Sequence, residues 1–433
     1  MATSNDFIVK SGLVVKANTT ISDSANLVTS NVIRAVAKPT LDINFARSGT
    51  LDPRISFNRA SAATYFGKDG SLKYAANNQP RFDYDPITGQ ALGLLIEEQR
   101  TNLIPTSAQF TGWNNNSNLP IIDNNMVAPD GTLSAATTNS IGSTRYKSTT
   151  SAVTSGTTYT YSIYIKPLNP SIAVICYIDG GIGASNSFAS SSVSVVPSTG
   201  SVALTGGIPA VSGTVVNSGN GWYRISVSFI TLSTTTVACH IYPISANLTG
   251  WWGAQCEIGA QPSTYIPTQV SSVTRAADRC LLVPGLWYTP TVGTWFAEFQ
   301  GGRESTQGFY GRVLSPIGAS TILSTDNGST FVVGSWIGGP NISATTSRDF
   351  WTTKGKAALT YNNNTLTRTI SARGLTASGT YAISEAPGYI ITTAMGIGQN
   401  AASASNMLNG HITRITYWPA NFTAAQLSIL TAN

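Results

Sequence analysis

Charge is scarce in this sequence: Asp, Glu, Lys and Arg make up 10% of its 433 residues, where about 25% is usual for a soluble domain. Charge-laced helices and acidic or basic tails are thereby excluded. Histidine occurs twice and cysteine four times, without the paired spacing of a zinc site, so no metal is expected. Cys176, Cys239, Cys256 and Cys280 stand far apart in apolar strand-like contexts. Buried thiols are expected, with a Cys239 to Cys256 bridge left open to geometry. No run reaches the roughly 18 apolar residues of a membrane helix, so no membrane insertion is expected. The opening MATSNDFIVK lacks the charged and apolar regions of a secretion signal, which points to synthesis and assembly in the cytoplasm. The net charge of +6 is spread without a basic block, which argues against a nucleic-acid partner. There is no phosphate-cradling glycine loop and no GxSxG elbow, so no cofactor and no serine hydrolase chemistry are expected.

Apolar residues, by contrast, reach 42% and recur with period two in TYTYSIYIKP, SSVSVVP, WYRISVSFITL, GTWFAEFQ and NGHITRITYWP. That period belongs to strands covered on one face. In Thr158 to Lys166 the set Tyr159, Tyr161, Ile163 and Ile165 is expected in a core, and Thr160, Ser162, Tyr164 and Lys166 on a polar face. Asp69-Gly70 reads as a two-residue turn and Asn327-Gly328 as a hairpin. Thr423 reads as the cap of one short helix, AAQLSIL. A chain of this length needs more than one core. The expected fold is all-β: two successive jelly-roll-like β-sandwiches at 41–270 and 271–433, after a short N-terminal segment, 1–40, too small to fold alone.

The few charges concentrate between residues 57 and 102, where Arg59, Arg81, Asp83, Asp85, Glu97, Glu98 and Arg100 stand. Opposite charges clustered in a charge-poor chain are expected to satisfy one another in buried turns, with Arg81 and Arg100 pairing to the carboxylates. Hydrolysis of a glycan would need two carboxylates about 5–10 Å apart. Asp83 and Asp85 share a strand face and form the best pair, while the adjacent Glu97 and Glu98 face apart. His240 lies beside Cys239 in a strand, and His411 follows Asn409-Gly410 at an expected exposed turn, so no catalytic residue is assigned. Trp113, Trp336 and Trp351 occur in polar, loop-like stretches and are candidates for stacking on a sugar. Trp222, Trp251 and Trp252 read as core.

FNRASAATYFGKDG and PRFDYDPITGQALGLLIEEQRTNL resemble a module of bacteriophage head-spike and tail-fibre proteins. GWWGAQCEIGAQPSTYIPT with VTRAADR is similar to the end of the sandwich that follows that module, so the likeness brackets residues 57–279. LNGHITRITYWPANFTAAQLSIL resembles the last elements of a concanavalin-A-like or laminin-G-like sandwich of phage fibres. FIVKSGLVVKANTTI resembles the opening of fibre proteins that attach to a virion. The resemblance implies a structural, non-enzymatic protein displayed on the virion surface as a homotrimer and assembled in the host cytoplasm. Its N-terminal segment, through Phe7, Val9, Leu13 and Val15, would anchor to capsid or tail proteins, and a host-surface glycan would be its outer partner. A capsid-decoration protein without a receptor role and a polysaccharide depolymerase are the alternatives.

Overall fold

In the computed structural model the described residues are 38–432, apart from 116–119, 139–145, 148–150, 180–190, 207–209, 232–234, 243–248, 302–309, 317–320, 327–330, 337–341, 347–353, 366, 373–374, 381–393 and 404. The anchor residues Phe7, Val9, Leu13 and Val15 lie outside them, as do Trp351, the Asn327-Gly328 turn and the side chain of Trp336.

The regular structure of the described chain is almost all strand and builds two β-sandwiches, as the alternation requires. One has a six-stranded sheet centred on Tyr223–Ile230, Thr158–Pro167 and Thr249–Ile258, faced by a seven-stranded sheet centred on Val174–Asp179 and Thr236–Tyr242. Tyr161, Ile163, Ile225, Trp251, Val195 and Ile241 fill the space between them. The other has an eight-stranded sheet around Val292–Gln300 and Gly410–Trp418, faced by a seven-stranded sheet that includes Arg279–Leu282 and Met395–Ile397. Its core holds Trp295, Phe299, Leu359, Ile412 and Tyr417.

The two sandwiches are not successive, and the expected boundaries are corrected here. Leu41–Asn44 pairs with Gly410–Trp418, with Asp42 opposite Thr416. Ala91–Ile96 continues along the same edge, with Leu94 opposite Ile412. Ile55–Asn58 pairs with Arg279–Leu282 in the facing sheet. The strands at 41–58 and 82–96 therefore belong to the C-terminal sandwich, and the other sandwich, about 103–270, is an insertion between its early and late strands. The reason is hydrophobic: Leu41, Ile43, Phe45, Leu94 and Ile96 are buried in the C-terminal core.

Locally, the hairpin of Ala63–Phe66 and Leu72–Ala75 is closed by Gly67 donating to the Ser71 carbonyl, 2.8 Å. The loop is thus three residues, not two, with Gly70 in the left-handed region at φ 72°. Thr423 caps the helix Ala424–Thr431 in a capping box with Gln426. That helix packs Leu427 and Leu430 against Phe296 and Trp418 on the outer face of the eight-stranded sheet. Cys256 and Cys280 are free buried thiols, so no bridge joins Cys256 to Cys239; the Cys176 side chain is outside the described residues.

The insertion has a direct consequence. A fragment of residues 271–433 lacks the strands that cover Ile412, Ile415 and Leu282, and should aggregate or show no cooperative thermal unfolding by circular dichroism. A cooperative melt of that fragment would contradict the pairing.

Candidate functional site

The chain crosses between the sandwiches twice, outward at Arg100–Asn102 and back at Val273–Arg275, and these two short strands pair, Arg100 opposite Arg275. Around this neck sits a buried ionic cluster. Asp278 accepts from Arg59 Nη1 at 3.0 Å and from Arg81 Nη2 at 2.5 Å. Glu97 accepts from Arg81 Nη1 at 2.6 Å and pairs also with Arg275. Thr264, at the end of the inserted sandwich, donates its backbone N–H and hydroxyl to Glu97 at 2.9 and 2.6 Å. The Glu97 N–H donates to Asp278 at 2.8 Å, and the Asp278 N–H donates to the Glu97 carbonyl at 3.0 Å. Arg59 also donates to the carbonyls of Ser61, Ala76 and Gln79. All five side chains are less than a tenth exposed.

Burial alone would favour the neutral acid at Glu97, but Arg275, Arg81 and the Thr264 hydrogen bonds outweigh it and hold its carboxyl far below the ordinary carboxylate range. Burial likewise opposes the charge on Arg81, and Asp278 and Glu97 reverse that, holding the guanidinium more firmly protonated. Arg275 and Arg59 are moved the other way, since for them desolvation outweighs the carboxylates.

The remaining sequence candidates fall around this cluster. Arg100 donates to Glu98 at 2.5 Å, with its Nε and Nη1 unpartnered. Its guanidinium lies against Gly259, at φ 122°, where any Cβ would collide with it. Asn102 latches the inserted sandwich, donating to the carbonyls of Ala254 and Ile266 and accepting from the N–H groups of Ile104 and Cys256. Asp85 accepts from the N–H groups of Ile87 and Thr88 and shapes the turn at Pro86. Asp83 accepts from the Phe66 N–H at 2.6 Å and from His411 Nε2 at 2.7 Å. Asp83 and Asp85 therefore serve different contacts and do not form a working pair.

Two expectations are corrected. Trp113 is 3% exposed. It packs edge-on against Phe110 at 4.8 Å and donates its indole N–H to Thr106, leaving no ring face for a sugar. His411 is not on an exposed turn but within the strand Gly410–Trp418, its imidazole mostly buried against Asp83. Sequence reasoning also missed Arg275 and Asp278; their signal was present in VTRAADR, which carried a family likeness without a role.

Beside the neck lies a cleft of about 290 Å³ between the sandwiches. Tyr65, Asp83 and His411 line it from the C-terminal side, and Tyr164, Arg224 and Gln261 from the inserted sandwich. Arg224 stacks over the Tyr164 ring at 5.2 Å while donating to the Ser263 carbonyl and the Ser162 hydroxyl. The carboxylates lining the cleft, Asp83 and Glu97, are both already engaged. Such a surface can hydrogen-bond hydroxyls and stack on a ring, and each of its two carboxylates is held in an ion pair.

No family model matches the chain, and no curated protein does. Among solved structures it is similar to the Ruminococcus gnavus IT-sialidase CBM40, at 12% identity over 33% of this chain and 84% of that one, with a TM-score of 0.27. The mouse laminin alpha1 chain domains LG4-5 match at 11% identity over 61% and 82%, TM-score 0.19. The CBM22-1-CBM22-2 tandem of Paenibacillus barcinonensis Xyn10C matches at 7% over 74% and 97%, TM-score 0.24. At these scores the likeness carries no functional inference.

Two outcomes follow from the ionic cluster. Arg81→Ala removes the guanidinium shared by two buried carboxylates, leaving Asp278 to Arg59 and Glu97 to Arg275 and Thr264, and should lower stability by about 3 kcal/mol, read as a fall in the denaturant midpoint; a shift under about 1 kcal/mol would show that the cluster is not closed. Glu97 has an ordinary value of 4.5, depressed on folding, so its stabilisation is complete above pH 5. It is lost as acid protonates the unfolded chain first, by up to about 1.4 kcal/mol per pH unit. Glu97→Gln should flatten the acid limb of the stability profile, and an unchanged limb would contradict the assignment.

Proposed function

We propose that this chain is a non-enzymatic display protein of a bacteriophage virion that binds host-surface polysaccharide in the cleft between its two sandwiches. The observation that carries the binding reading is the cleft itself. It sets Tyr65, the Asp83–His411 pair, Gln261 and the Tyr164-stacked Arg224 around one hollow, which is the mixture of ring faces and planar hydrogen-bonding groups that saccharides require. The virion reading is supported by the likeness of residues 57–102 and 273–279 to phage spike and fibre proteins. The ionic cluster joins the two stretches physically, since Arg81 and Glu97 of the first meet Arg275 and Asp278 of the second in one neck. In this reading residues 1–40 dock on capsid or tail, three chains associate, and weak sites gain avidity by acting together at the particle surface.

Immobilised full-length protein should retain polysaccharide extracted from host cells, and His411→Ala should weaken retention about tenfold or more without lowering the melting temperature to match. Retention unaffected by His411→Ala would remove the cleft from the reading. Release of new reducing ends from the polysaccharide would replace binding with depolymerisation, and no retention at all would favour decoration.

A further inference from the structure

A second hollow, about 210 Å³, opens where the Ala63–Phe66/Leu72–Ala75 hairpin crosses the outer face of the inserted sandwich. Its wall is Tyr74, 49% exposed, whose hydroxyl donates to Asp130 Oδ2 at 3.0 Å. Asp130 is itself fixed, accepting from the Thr132 N–H at 2.9 Å and hydroxyl at 2.7 Å. The ring is thus tethered at its tip while half its surface meets solvent, a rigid platform where an exposed tyrosine would ordinarily be free to rotate. Beneath it, Trp252 and Tyr265 form an aromatic floor, their ring centres 4.5 Å apart.

The rim is made of amides. Gln109, Asn124 and Gln269 line the hollow and are exposed. Asn124 has φ 54°, in the left-handed region that non-glycine residues seldom adopt. It lies where Ile121–Val127 slips register against Leu133–Thr138, Met126 facing Ala135 and Ile122 facing Thr137. Such a bulge re-aims a side chain out of the strand alternation. Asp130 is the sole Asp, Glu, Lys, Arg or His among the residues lining this hollow, in contrast to the arginine-lined junction cleft.

We infer that this groove is a second saccharide site, distinct from the junction cleft, and that it takes uncharged sugars. A sugar's apolar face stacks on Tyr74, its hydroxyls exchange hydrogen bonds with the amides, and an acidic sugar is repelled by Asp130.

The test titrates full-length protein with uncharged hexasaccharides: cellohexaose, maltohexaose, xylohexaose, mannohexaose and chitohexaose. Calorimetry should detect at least one of them. Both Tyr74→Ala and Asn124→Gly should weaken it about tenfold, while His411→Ala, in the other cleft, should leave it unchanged. Asn124→Gly preserves the left-handed backbone and removes only the amide, so its loss of binding cannot be attributed to unfolding. Binding that is lost in His411→Ala and kept in Tyr74→Ala would overturn this site and leave the junction reading standing. No binding of any of the five would overturn it too, whatever host polysaccharide the junction cleft retains.

Discussion

Three guanidinium groups and two carboxylates are buried together at the neck between the sandwiches, and among the described residues no other ion-pair cluster is so large. A buried charge without its partner costs several kcal/mol, and the set is tolerable only when complete. Arg59 directly follows the strand Ile55–Asn58 and Arg81 directly precedes the strand Phe82–Tyr84, Glu97 comes from the outgoing crossing, and Arg275 and Asp278 from the return. Thr264, from the inserted sandwich, supplies two further donors to Glu97. Completing the cluster therefore requires both crossings and the base of the insertion to be in place at once. Buried charge here specifies geometry where apolar packing would allow several.

That requirement sets the rest of the molecule. With the neck fixed, the Ala63–Phe66/Leu72–Ala75 hairpin lies over the outer face of the inserted sandwich, where Leu72 packs with Tyr164, Trp252 and Tyr265. Thr64 donates to the Tyr265 carbonyl at 2.6 Å across the same boundary. The junction cleft is the space left beside this contact, and its two walls come from different sandwiches. A ligand there reads the relative placement of the domains as well as their side chains. The second hollow draws on the same contact, since Tyr74 belongs to the hairpin and its floor to the inserted sandwich.

Much of the fold was legible because period-two alternation follows directly from one-sided burial. Tyr159, Tyr161, Ile163 and Ile165 are in the core as the pattern requires. The opposite face of that strand departs from it: Thr160, Ser162 and Tyr164 are buried as well, because the return segment at 263–265 and the hairpin cover them. The insertion was not legible. Leu94 finds Ile412 and Asp42 finds Arg414 across more than three hundred residues, and alternation says which face is apolar without saying whose sheet it joins. At the site, the charge cluster could be anticipated from its density, and Arg81 and Arg100 do meet carboxylates. Asp278 and Arg275 could not, being single charges in a connector. His411 misled because a residue after Asn-Gly usually ends a turn, whereas here it enters a strand facing Asp83. Trp113 misled because polar neighbours in sequence are not neighbours in space.

The dependence of the junction on the buried cluster is open to direct measurement by native-state hydrogen exchange at the backbone N–H groups of Glu97, Thr264 and Asp278. Each donates into the cluster, although these residues lie at strand ends and connectors, where local fraying is usual. If the cluster holds the junction, all three exchange only through global unfolding, with the same free energy as core amides such as that of Tyr161. Exchange of these three at the rate of exposed loop amides, with the core still protected, would show that the neck opens by itself and that something else sets the domain geometry.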